Sequence, residues 1–178
     1  MEDKKIDIKY DHNLEEQKRP KVEVYEGKDG MKTVMEDILR SGIKEFLAYG
    51  SSRSSYEVIP AFMDDWHKRR IKKGIICKYI YDNNAKEYGK VREKMPLTEV
   101  KYLSPDIISP VWTEIAKDYV ITGHITESGA IVFLMKDKEM AKKHLHYFEL
   151  IWKQAWALYN NEYDWSDKAW WQHRTPIP

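Results

Sequence analysis

The residues best placed to do chemistry lie in one short run, Gly50-Ser51-Ser52-Arg53-Ser54-Ser55-Tyr56. Its hydroxyls can hydrogen-bond a polar ligand, and Arg53 can grip a carboxylate or phosphate through two parallel hydrogen bonds. Before the run, Phe46, Leu47, Ala48 and Tyr49 read as a short buried strand. After it, Val58, Ile59, Phe62 and Trp66 recur at helical spacing. A strand feeding a Gly/Ser loop that opens a helix is where α/β proteins place ligands, because exposed N–H groups and the positive helix end converge there. The same loop is equally compatible with a polar connector that merely caps its helix. Ser54 and Glu57 fit a capping box. Pro60 lies too deep for the first turn to continue smoothly. The pattern therefore predicts a kink near 56–60, or a short first turn and then the main helix to about Lys73.

Other reactive side chains suggest less. His144 and His146 are two apart on a helical pattern, so they point about 200° apart at ~100° per residue. No cysteine or carboxylate cluster completes a metal site around them, and none is expected. Cys77 in an apolar strand reads as an inert hydrophobe. His67, Lys68, Arg69, Arg70, Lys72 and Lys73 form a basic helix end, read as a solvated face complementing the helix dipole. Trp152, Trp156, Tyr159 and Tyr163 form an aromatic ridge, and Trp165, Trp170 and Trp171 follow in a polar tail. Trp152 and Trp156 suit core packing of a terminal helix. Trp156, Trp165, Trp170 and Trp171 are also the expected interface residues of a symmetric homodimer, since such aromatics are seldom left in water.

The elements that must position these groups follow from periodicity. Lys21–Tyr25 alternates as a strand, and Met31, Val34, Met35, Ile38 and Leu39 form a helical stripe. Strand 46–49, helix 56–73 and strand 75–81 come next. This strand–helix–strand–helix–strand order argues for a parallel sheet with helices packed on it. A short polar helix at 83–94, a strand at 97–103, a hairpin of 111–115 and 119–125 turning at Lys117–Asp118, and a buried strand at 130–135 complete the sheet. The longest helical pattern runs from Lys138 to about Asn160.

The 178 residues suit one core with tails: a charged lead-in at 1–19, a domain at 20–160 and an aromatic-rich tail at 161–178. A net charge of +1 points to neither a basic nucleic-acid binder nor an acidic tail protein. One cysteine, no apolar leader and no run of apolar residues long enough to span a bilayer predict a cytoplasmic protein without a disulfide framework or membrane association.

Four segments, PKVEVYEGKDGMKTVMEDIL, KEFLAYGSSRSSYEVIPAFMDDWHKRRIKKGI, GKVREKMPLTEVKYLSPDIISPVWTEIAKDYVITGHI and AIVFLMKDKEMAKKHLHYFELIWK, resemble in order and spacing the effector-binding domain of the TrmB family of archaeal transcription regulators. The resemblance covers roughly residues 20–155. It implies a three-layer α/β/α sandwich with a mixed, phospholipase D-like sheet, and a role in sensing small molecules, sugars for some members. The family usually carries a winged helix-turn-helix before this domain, and only about twenty residues precede Val22. DNA is therefore expected to be reached indirectly, through a missing or separate module. Nothing after residue 155 is long enough for the extra domain of the sugar-binding members, so their sugar contacts do not transfer.

Enzymes of the phospholipase D fold use a His-x-Lys pair followed by an acidic residue, the His as nucleophile and the Lys neutralising phosphate charge. In the corresponding strand this sequence reads Val111-Trp112-Thr113-Glu114-Ile115, with Trp112 and Glu114 in the approximate His and Lys places. The expectation is a catalytically inactive sensing domain with no catalytic residue, metal or cofactor. Its small polar effector, a sugar or similar molecule, would be bound by Ser51, Ser52, Arg53, Tyr56, Trp112 and Glu114. The competing readings are a divergent phospholipase D-fold hydrolase using Glu114 with Ser51, Ser52 or His67, and a dimeric protein-interaction module.

Overall fold

The computed structural model describes residues 20–51, 57–105, 107–109, 111–127 and 129–155. Ser52, Arg53, Tyr56, Trp156, Trp165, Trp170 and Trp171 lie outside them, as do Ser54 of the capping box and the lead-in.

Among the described residues, seven strands and four α-helices follow in the order β1 (Lys21–Glu26), α1 (Gly27–Arg40), β2 (Glu45–Ser51), α2 (Pro60–Lys72), β3 (Ile76–Tyr81), α3 (Lys86–Glu93), β4 (Thr98–Tyr102), β5 (Trp112–Ala116), β6 (Tyr119–Thr126), β7 (Gly129–Lys136) and α4 (Lys138–Gln154). A 3-10 turn, Asn83–Ala85, leads into α3. The sheet order is β1-β7-β6-β5-β2-β3-β4. Strands β2, β3 and β4 run parallel, while β2–β5, β5–β6, β6–β7 and β7–β1 pair antiparallel.

The parallel arrangement expected for the first three strands therefore holds only from β2 onward. Strand β1 crosses to the far edge and pairs along its whole length with β7, Val22 opposite Met135 and Val24 opposite Phe133. Hydrogen-bond pairing is a long-range choice that alternation within one strand does not encode.

Alternation along the strands sorts the core into two faces. Phe46, Ala48, Cys77, Tyr79, Tyr81, Trp112 and Ile121 face the helical stripe Met31, Val34, Met35, Ile38 and Leu39 of α1, together with Trp66 of α2. Leu47, Ile80 and Ile115 face Phe148, Ile151 and Trp152 of α4. Trp66 is fully buried, as its place in the stripe requires, and its indole N–H donates to Met35 O at 2.9 Å.

The break expected near 56–60 is present, whereas the last helix ends earlier than expected. Glu57 and Val58 are helical, but Ile59 leaves the helical region (φ −139°, ψ 56°) and α2 starts at Pro60. Proline is well tolerated at the first helical position, where its missing N–H would have no intrahelical partner. Helix α4 stops at Gln154, short of the expected 160, because Ala155 turns extended (ψ 151°). The orphan Trp152 carbonyl near that end accepts from Lys101 Nζ at 2.6 Å, which satisfies one of the groups a helix terminus leaves open.

Candidate functional site

Strand β5 is the centre of the site, since it joins the parallel half of the sheet to the antiparallel half. Glu114 is opposite Ala48 on β2 and Ile121 on β6. Alternation places its side chain on the same face as Trp112 and Ala116, under α1 and α2. No ion pair or hydrogen bond to Glu114 occurs among the described residues, and burial pushes its carboxyl up to about 8. A carboxyl so poised is largely protonated near neutrality. It can donate a hydrogen bond to a hydroxyl or ionise to receive a cation.

Cys77 and Tyr81 lie close enough to feel the Glu114 charge. Burial first, with Glu114 adding to it, raises the Cys77 thiol to about 11 and the Tyr81 hydroxyl to about 12. A thiol held there is not a nucleophile, in keeping with the reading of Cys77 as a buried hydrophobe.

At the end of β3, Asp82 is fully buried and accepts from Ser109 N at 2.8 Å and Ser109 Oγ at 3.0 Å. Burial raises the Asp82 carboxyl, and the two Ser109 bonds partly oppose that rise. This clamp seats residue 109 over the end of β2. Gly50 there has φ +68°, and a Cβ at that position would come within 2.6 Å of Val111 O and 2.8 Å of Ser109 Cβ. Only glycine suits both the conformation and the close approach. The Asp82–Ser109 pair was not singled out from sequence. The available signal was an acidic residue at the end of an apolar strand, Tyr81-Asp82.

Of the residues proposed from sequence, Ser51 ends β2, three residues beyond Ala48, or roughly 10 Å along an extended strand from the level of Glu114. Trp112 is buried, its ring so close to Gly123 that a Cβ there would lie 2.6 Å from it. Trp112 thus packs over Gly123 of β6 on the sheet face that Glu114 shares. The described residues hold no group of three or more His, Cys, Asp and Glu side chains able to bind a metal ion. No helix among them is long and apolar enough to cross a membrane.

The basic helix end is only in part the solvated face that its composition suggests: Lys68, Lys72 and Lys73 are exposed, but two members turn inward. Arg70 and His67 are buried. The Arg70 guanidinium donates to the carbonyls of Ile75 (3.1 Å), Pro96 (3.2 Å) and Leu97 (2.7 Å), to Thr98 Oγ1, and through Nε to His67 Nδ1 (3.2 Å). Burial, and then the Arg92 and Arg70 charges, hold the imidazole neutral by lowering it to about 2. Arg69 pairs in a fork with Glu36 and also with Asp65. His67 is thereby engaged through Nδ1 by the Arg70 guanidinium.

The mixed sheet, with a parallel half joined through β5 to antiparallel hairpins, defines a mixed α/β, phospholipase D-like fold. Among solved structures, the chain is similar to TrmBL2, an archaeal chromatin protein described as showing a novel mode of DNA binding (TM-score 0.54, 14% identity, covering 75% of this chain and 53% of that one). It is also similar to NucT from Helicobacter pylori (TM-score 0.54, 17% identity, 77% and 98% covered). A third likeness is to the phosphatidylserine synthase of Haemophilus influenzae Rd KW20 (TM-score 0.55, 12% identity, 76% and 37% covered). The chain thus spans about half the length of TrmBL2 and a smaller part of the synthase. No protein-family model and no curated protein matches the sequence.

Proposed function

We propose that this domain is a catalytically inactive sensor of a small polar ligand, of the TrmB-like kind, with Glu114 as the residue that reads the ligand. The observation that carries the proposal is the Glu114 carboxyl, without a partner among the described residues and raised to about 8, at the junction of the two halves of a phospholipase D-like sheet. A hydrolase of this fold needs a nucleophile and a cation where this chain has Trp112 and Glu114. Trp112 has no nucleophilic atom, and a carboxyl group, protonated or ionised, lacks the positive charge with which a lysine would hold a phosphodiester. A hydroxyl-rich or amine-bearing ligand suits Glu114, because it can accept from or donate to the carboxyl without an anionic group opposite. The domain would act as a homodimer and reach DNA through a separate module; the likeness to TrmBL2, an archaeal chromatin protein that binds DNA, supports the shared fold.

A thermal-shift screen of sugars, amines, nucleotides and phosphates, run on the wild type and Glu114→Ala, tests this reading. The expected result is a polyol or amine that raises the melting temperature of the wild type and not of the variant, with no turnover of bis(p-nitrophenyl) phosphate by either. Turnover that disappears in Glu114→Ala would instead establish the hydrolase.

A further inference from the structure

A groove lies on the opposite sheet face from Glu114, near the start of β2. It has a volume of about 540 Å³, within the range of small-molecule sites. Its floor is apolar: Ile43, Leu47, Ile115 and Ala141 are all buried. Its rim carries Lys44, Lys117, Lys138 and Lys142 against two acids, Glu45 and Asp118. Glu45 is engaged by Lys78 at 3.0 Å, whereas none of the four rim lysines has an ion-pair partner among the described residues.

The groove is preformed. One wall is the turn entering β2 at Gly42–Lys44, and the other is the Lys117–Asp118 turn, tied to the start of α4 by Asp137 N donating to Asp118 O at 2.9 Å. Asp137 also caps α4, its carboxylate accepting from Met140 N at 2.6 Å. A floor without hydrogen-bonding side chains rejects polar ligands, because their desolvated groups would find no partner. A cationic rim rejects amines. What remains is a molecule with an apolar tail and an anionic head.

We infer that this groove binds a monomeric single-chain carboxylate amphiphile, its alkyl chain on the Leu47–Ile115–Ala141 floor and its carboxylate among Lys44, Lys117, Lys138 and Lys142. The inference stands apart from Glu114, which lies on the other sheet face.

The test is calorimetric titration of the full chain with sodium dodecanoate below its micellar range. Octanoate, dodecanol and dodecylammonium serve as comparison ligands, and phosphatidylglycerol vesicles as the surface control. Dodecanoate should bind more tightly than octanoate and at least tenfold more tightly than dodecylammonium, and should weaken as salt is raised. Lys44→Glu/Lys142→Glu, two exposed sites whose fold is checked by circular dichroism, should weaken dodecanoate at least tenfold, and Glu114→Gln should leave it unchanged. Equal binding of the two charged amphiphiles, an unaffected double variant, loss of binding in Glu114→Gln, or capture by vesicles without binding of the monomer would each overturn the assignment. Failure here leaves the Glu114 reading untouched, because that reading is scored by polar ligands and by Glu114→Ala.

Discussion

Arg70 and Glu114 are ionisable groups held in the same core, and the protein treats them oppositely. All three nitrogens of the Arg70 guanidinium donate, to carbonyls, a hydroxyl and a neutral imidazole. It closes the end of α2 onto the starts of β3 and β4, so its charge is solvated by the fold itself. Glu114 has no such partner among the described residues, and burial alone sets its titration. A buried charge with complete hydrogen bonding is structural material, whereas one without it is a cost that folding tolerates where something else uses the group. The contrast separates a clip from a candidate reader.

Removing the clip should have the largest effect. Arg70→Met keeps the apolar stem but leaves several carbonyls without their donor, which should cost about 3–5 kcal/mol in urea unfolding. A loss below about 1 kcal/mol would mean that the guanidinium network is not holding α2 to the sheet, and the contrast with Glu114 would fail.

The second effect concerns pH. The folded-state pKa of Glu114 is raised above that of the unfolded chain, so the folded state binds the extra proton between about pH 4.5 and 8. Stability from this group is therefore complete below the unfolded value and is lost as pH rises through about 8. Glu114→Gln should match the wild type near pH 4 and exceed it near pH 8.5 by roughly 1–3 kcal/mol, discounted because water reaches part of the group. His67 carries the opposite slope. Its lowered pKa gives stability that is full above about pH 6.5 and declines as the solution is acidified toward about 2. Paired denaturation curves across this range would separate the two. A Glu114→Gln curve parallel to the wild type would show that the carboxyl is already ionised or paired.

The smallest effect is expected at Tyr79, whose buried hydroxyl has no nitrogen or oxygen partner among the described residues and meets only the weakly bonding Cys77 thiol. Tyr79→Phe should leave stability within about 0.5 kcal/mol of the wild type or raise it slightly, since so weak a bond costs little to remove. A loss beyond about 1 kcal/mol would reveal a stronger partner for that hydroxyl and blur the line drawn between satisfied and unsatisfied groups.

Local periodicity determined much of this protein. The five apolar positions of α1, the Trp66 stripe, the hairpin turning at Lys117–Asp118 and the apolar run of β3 all occur where spacing places them, because side-chain burial repeats every 3.6 or 2 residues whatever surrounds the element. The placement of Glu114 in a β-strand was equally local. Three matters were decided only by tertiary structure. Strand β1 joined β7 because pairing partners are chosen across the whole sheet. Arg70 and His67 turned inward, although the run from His67 to Lys73 has the composition of a solvated face, because their acceptors at Ile75, Pro96, Leu97 and Thr98 come from chain that follows the helix. The proton on Glu114 is the clearest case: the same carboxyl on an exposed strand would be ionised at neutral pH, and the fold packed around it takes away much of the water that would stabilise the charge.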